Sequence, residues 1–178
     1  QTHHALSDDQ TRYTLMGICL DVQGNCLSAT TTDGHRLAHA EVPCVSAQTM
    51  CVLIPGLDVT TLVPLLDATC HDEVLLRLYG QHLDVVTDRA TMAMQLLQGQ
   101  FPEWRQVLPP TPVVRVPFHA TELLAVLRRV RVLSRDVKSR SVGLTIQDQR
   151  CVFDMEATPE NPEGLLMEEM ACEVDCPE

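Results

Sequence analysis

The spacing of apolar and polar residues divides this chain into elements of changing rhythm. Apolar runs of strand length, several of them alternating with polar residues, occupy 12–20, 26–31 and 36–40, separated by polar or glycine-containing stretches. Val52-Leu53-Ile54-Pro55 then reads as a short strand ended by proline, and 59–66 carry apolar residues at helical spacing. Three more strand-length runs follow at 73–79, 82–87 and 91–97, with Tyr79-Gly80-Gln81 as a hairpin turn. Sixty-two residues after the first proline-ended strand the order repeats. Val114-Arg115-Val116-Pro117 precedes a helix predicted at 121–133, and strands are expected at 141–146, 150–155 and 165–174. Gln147-Asp148-Gln149 and the Pro159-Glu160-Asn161-Pro162 loop separate these last three. The repeating unit is strand, helix, three strands, which predicts an α+β fold. The runs before residue 41 supply three strands of an earlier copy, without its leading strand and most of its helix. Strands 12–20 and 26–31 are accordingly expected to leave an open sheet edge and an apolar face in water.

The helix at 121–133 has the clearest pattern. Thr121 is expected to cap it and Glu122 to favour its positive end, while Leu123, Val126, Leu127, Val130 and Leu133 recur on one face. Arg128, Arg129 and Arg131 fall on the remaining arc, where charge ordinarily marks a solvated surface.

Composition narrows the functions open to such a fold. The chain has 178 residues, enough for one substantial core or two small ones. Its six aromatic residues argue against a sheet that binds single strands by base stacking. No apolar run approaches the length of a membrane span, and Gln1-Thr2-His3-His4 lacks the basic and apolar regions of a signal peptide, so a soluble, cytoplasmic protein is expected. Eight cysteines include no Cys-x-x-Cys pair, so they read as reduced core residues. Cys172-x-x-x-Cys176 with Cys70-His71 is the one arrangement that would justify a metal assay, and no metal or cofactor is expected.

The net charge of −11 would disfavour nucleic acid if it were spread evenly. It is not. Arg128, Arg129, Arg131, Arg135, Lys138 and Arg140 hold six of the thirteen basic residues, whereas Asp154 to Glu178 holds nine acids and no Lys or Arg. Such segregation lets one side attract a polyanion while the rest repels it.

The strongest local motif is Thr32-Asp33-Gly34-His35-Arg36-Leu37-Ala38. Asp33-Gly34 supplies a turn, and the alternation from Arg36 to Ala40 continues it into a half-buried strand, which places His35 and Arg36 at a rim. Arg12-Tyr13-x-Leu15-x-Gly17 lies upstream and Phe101-Pro102-Glu103-Trp104-Arg105-Gln106-Val107-Leu108-Pro109 downstream. These three collinear motifs resemble the bacterial DNA polymerase III β subunit, the sliding clamp. The resemblance implies the DNA-clamp fold, with residues 1–110 as a middle domain lacking its first strand and most of its first helix. Residues 111–178 would then be the first half of the carboxyl-terminal domain. Gln1 in place of Met fits a fragment.

The same resemblance implies a non-catalytic processivity factor that encircles duplex DNA as a head-to-tail homodimer, is placed there by a clamp loader, and tethers the replicative polymerase. Carried over by position, Leu15, Thr32, Gly34, His35, Arg36, Leu37, Pro102 and Val107 would bind peptide motifs of DNA polymerase III and other clamp-binding proteins. Arg12, Tyr13, Arg128, Arg129 and Arg131 would face DNA. A ring-incompetent module that binds such peptides without encircling DNA is the alternative. Gln106 and Gly56-Leu57-Asp58 depart from the family, which commonly has basic residues there. No phosphate loop, nucleophile elbow or His-Glu-x-x-His pair is present, and Asp33 with His35 has no nucleophile beside it in sequence.

Overall fold

A computed structural model describes residues 1–46, 48–69, 73–108, 115–133, 142–147, 149–154 and 167–172. The chain divides into units Gln1–Trp104 and Arg105–Glu178, ahead of the boundary expected at residue 110.

In the first unit the strand predicted at 12–20 begins later. Residues Gln10–Met16 form a 3₁₀ turn, with Asp9 accepting a hydrogen bond from the Thr11 amide, and β1 runs Gly17–Gln23. Leu15 is buried at one point of this turn, a spacing that apolar alternation alone reads as strand. Next come β2 (Cys26–Thr32), β3 (Leu37–Pro43) and β4 (Met50–Pro55), in an antiparallel sheet of order β3-β2-β1-β4. The open edge expected beside the first strands is therefore closed: β4 pairs with β1, from Gly17 opposite Pro55 to Val22 opposite Met50.

β1 is paired on both sides, by β2 and β4, while β4 is an edge strand whose outer side, among the described residues, is paired only at the Leu53–Leu97 bridge. Alternation sends residues of both strands into two buried clusters. Ile18, Val52 and Ile54 point to one side. There they meet Val59 and Leu62 of α1 (Gly56–Thr69), and Leu83, Val85 and Met94 from a second sheet. That sheet has the order β5-β6-β7, formed by Leu75–Tyr79, His82–Val86 and Thr91–Gln95. Cys19 and Leu53 point the other way, into a separate cluster with Leu15 and Phe101. Helix α1 starts directly after Pro55 and carries Pro64 in its interior. Proline has no amide hydrogen, so the Thr60 carbonyl loses its helical partner there.

In the second unit, α2 (Ala120–Leu133) covers a sheet of order β10-β9-β8, formed by Met167–Ala171, Arg150–Asp154 and Gly143–Gln147. Val126 and Val130 bury against Cys151, Phe153 and Cys172. Two expectations for this helix fail. Thr121 is not its cap, because the helix begins one residue earlier and the Glu122 and Leu123 amides donate to the His119 carbonyl. Leu127 is 42% exposed, since a helix on a three-stranded sheet buries only a narrow stripe centred on Val126 and Val130. Of the strand expected before this helix, the described residues retain one bridge, at Arg115. The first repeat thus runs β4-α1-β5-β6-β7, and the second keeps α2-β8-β9-β10. The Pro159-Glu160-Asn161-Pro162 loop lies outside the described residues.

Candidate functional site

The sheet face opposite α1 carries a row of side chains fixed by strand register. Leu53 of β4 is opposite Cys19 of β1, Cys19 is opposite Thr30 of β2, and Thr30 is opposite His39 of β3. The apolar half of the row is covered by Leu15, Phe101, Leu97 and Trp104. On the polar half, the His39 ring lies 4.5 Å from Trp104, tilted by 38°. Thr30 Oγ1 is 2.8 Å from His39 Nδ1, and the Glu41 carboxylate accepts from His39 Nε2 at 3.0 Å. Thr32 and Leu37, a registered pair, continue this face by alternation.

At the end of the sheet, residues 33–36 form a turn held by its own polar groups. Asp33 Oδ1 accepts from the His35 and Arg36 amides at 2.9 and 3.0 Å, and its other oxygen accepts from Arg36 Nε at 2.9 Å. These amide hydrogen bonds, with a smaller contribution from Arg36 itself, hold the Asp33 carboxyl down at about 2. Thr32 Oγ1 donates to the Arg36 carbonyl and accepts from the Gly34 amide. Gly34 has φ +91°, and a Cβ there would lie 3.2 Å from Arg12 Nη1. Glycine suits this left-handed backbone, and a side chain there would make the flexible end of Arg12 give way slightly.

The structure brings together most, but not all, of the sequence-predicted residues. Thr32, Gly34, His35, Arg36 and Leu37 form the turn, and Leu15 is a floor residue at 6% exposure rather than an open socket. Pro102 is exposed beside buried Phe101. Val107 is 75% exposed and belongs to the second unit. Arg12, expected to face DNA, sits over the Gly34 turn with Asp9 3.9 Å away. Tyr13 is 52% exposed, with its hydroxyl against the Gly99 backbone. Thr30, His39, Phe101 and Trp104 were missed as site residues. The alternation Leu37, His39, Glu41 was the available signal, since it puts a histidine beside a predicted site residue on one face.

On α2, Arg128 is exposed and makes no ion pair among the described residues, and Arg131 is exposed too. Arg129 differs: its Nε and Nη2 donate to the two Glu168 oxygens at 2.9 and 2.8 Å, tying the helix to β10. The pair lowers the Glu168 carboxyl and raises the guanidinium. Its charge is matched within the protein. Arg135, Lys138 and Arg140 lie outside the described residues. Among the described residues no three His, Cys, Asp or Glu side chains could hold a metal ion.

Comparison with known proteins follows the same lines. The family described as DNA polymerase III beta subunit, central domain, matches residues 1–103. The beta sliding clamp of Vibrio cholerae is 30% identical over 172 residues, covering 96% of this chain and 45% of that protein. A Pseudomonas aeruginosa sliding clamp solved bound to griselimycin superposes with TM-score 0.85 at 28% identity, over 98% of this chain and 46% of its own. The DNA polymerase III beta subunit of Thermotoga maritima, at 23% identity, shares the fold with TM-score 0.87 over 99% of this chain and 47% of that one. Repeated strand-helix-three-strand units with these likenesses define an α+β protein of the DNA-clamp class. The chain belongs to the DNA polymerase III beta subunit family. It spans about half the length of the relatives it matches.

Proposed function

We propose that this chain acts as part of a sliding clamp, a non-catalytic processivity factor that encircles duplex DNA and tethers DNA polymerase III. Family membership supports the activity, and the face built on Leu53, Cys19, Thr30 and His39 supports the tether. An apolar floor with a polar rim suits a short peptide: Leu15, Leu37 and Pro102 offer contacts to its apolar side chains, while His35 and Arg36 fix its register. Residues 1–110 then act as the middle domain and 111–178 as the first half of the next.

Duplex DNA would be met by Arg128 and Arg131 through weak, sequence-independent phosphate contacts, because a ring that slides must not grip. A head-to-tail homodimer, a clamp loader and a cytoplasmic location at the nucleoid complete this reading. No helix among the described residues is long and apolar enough to cross a membrane.

Peptide binding is the decisive measurement. A labelled peptide of the Gln-x-x-Leu-Phe type is titrated against wild type, Arg36→Ala and Leu37→Ala by fluorescence anisotropy. Binding is expected for wild type and weakened in both variants. Equal binding by all three would remove the assignment of this face.

A further inference from the structure

Two cysteines of this protein sit diagonally across a pair of neighbouring strands. Cys51 of β4 lies two residues from Leu53, the partner of Cys19, so the two cysteines are diagonal neighbours on the face opposite α1. Their Sγ atoms are 3.9 Å apart. Cys19 is buried and Cys51 exposed, an arrangement with one thiol for a solvent-borne oxidant to reach and a second directly behind it. We propose that Cys19 and Cys51 form a reversible disulfide that pins β1 to β4 beneath the candidate site.

The reaction takes a low-molecular-weight disulfide such as oxidised glutathione. The Cys51 thiol gives its proton to solvent, and the thiolate attacks one sulfur, forming a mixed disulfide and expelling one glutathione thiolate. Cys19, deprotonated in turn, attacks Cys51 Sγ and expels the second glutathione. Two protein thiols are oxidised, one glutathione disulfide is reduced to two thiols, and the two protons end on the departing glutathiones. Side-chain rotation with a small strand shift must bring the sulfurs from 3.9 Å to bonding distance of about 2.05 Å.

A second pair in the protein supplies the contrast. Cys172 is two residues from Met170, the partner of Cys151, a diagonal of the same length in sequence but of the opposite direction. Both thiols are buried there, and burial, with the hydrogen bond the Cys151 thiol makes to Cys172, pushes Cys151 up to about 11. Without an accessible thiolate that pair stays reduced when the first is oxidised. The first pair has an exposed thiol and the second has none.

Oxidising the whole chain with oxidised glutathione and mapping its cysteines by mass spectrometry after alkylation tests this. A peptide linked through Cys19 and Cys51 is expected, with Cys151 and Cys172 still alkylated after denaturation. The linked protein should melt at a higher temperature than the reduced protein, revert with dithiothreitol, and show no such rise in Cys51→Ser. That variant changes an exposed position and keeps the fold measurable. Cys51 carrying only a glutathione adduct, no modification at all, or an equal rise in Cys51→Ser would each overturn the proposal. None of these readouts requires peptide or DNA binding.

Discussion

Asp33 is the residue on which the candidate site's shape depends most. Its carboxylate accepts from two amides and from Arg36, and its folded value of about 2 lies below the ordinary 3.8. A depressed carboxyl contributes stability that is complete above its unfolded value and is lost as pH falls through the folded one. The turn should therefore hold down to about pH 4 and loosen toward pH 2. Amide chemical shifts of His35 and Arg36 report it, and in Asp33→Asn the acid-induced change attributable to this carboxyl should disappear. Gly34 tests the same turn from the backbone. Gly34→Ala must hold a side chain at φ +91° and displace Arg12, so a loss of about 1–2 kcal/mol and weaker peptide binding are expected. Urea unfolding and peptide titration measure the two effects.

At the scale of elements, each unit depends on a helix stripe pressed on a sheet. Leu83 in β6 has no exposed surface and lies in the cluster shared by α1 and both sheets of its unit. Leu83→Ala is expected to cost about 2–5 kcal/mol in chemical unfolding, because the cavity has neighbours on every side. Helix α2 separates packing from charge. Arg129 bridges to Glu168 while Arg128 stays exposed, so the two arginines should respond differently to substitution. In a ring assembled on circular DNA, Arg128→Ala should shorten retention and flatten its salt dependence more than Arg129→Ala. The repeat, the helices and most strand positions were legible in apolar spacing. The 3₁₀ turn at Gln10–Met16 was not, since Leu15 and Ile18 give the same apolar run whether the backbone is coiled or extended.

For the molecule as a whole, the repeat leaves one sheet a strand shorter than the other. In the first unit β4 is added across to β1, making four strands, whereas β5 pairs only with β6 among the described residues. Leu75, Leu78 and Tyr79 of β5 are 52%, 44% and 57% exposed, beside a concavity of about 1000 Å³ lined in part by Leu20, Leu66 and Leu76. This concavity is on the α1 side of the sheet, away from the candidate peptide face. An unpaired apolar strand edge recruits other strands. This chain should therefore associate in a concentration-dependent way in sedimentation velocity, and Leu78→Lys should suppress it. A monodisperse wild type over a roughly hundredfold concentration range would exclude association through β5.

What the sequence determined by itself was local. Apolar period, proline ends and the Asp33-Gly34 turn define where the elements and the rim of the site lie, because turn chemistry and alternation act over a few residues. The pairing of β4 with β1 was decided only in three dimensions, and three consequences follow from it. It closes the edge that the sequence left open, sets Cys51 against Cys19, and aligns Leu53, Cys19, Thr30 and His39 across four strands. Partners that distant in the chain are chosen by which register buries both faces of the central strands at once. No single segment carries that information.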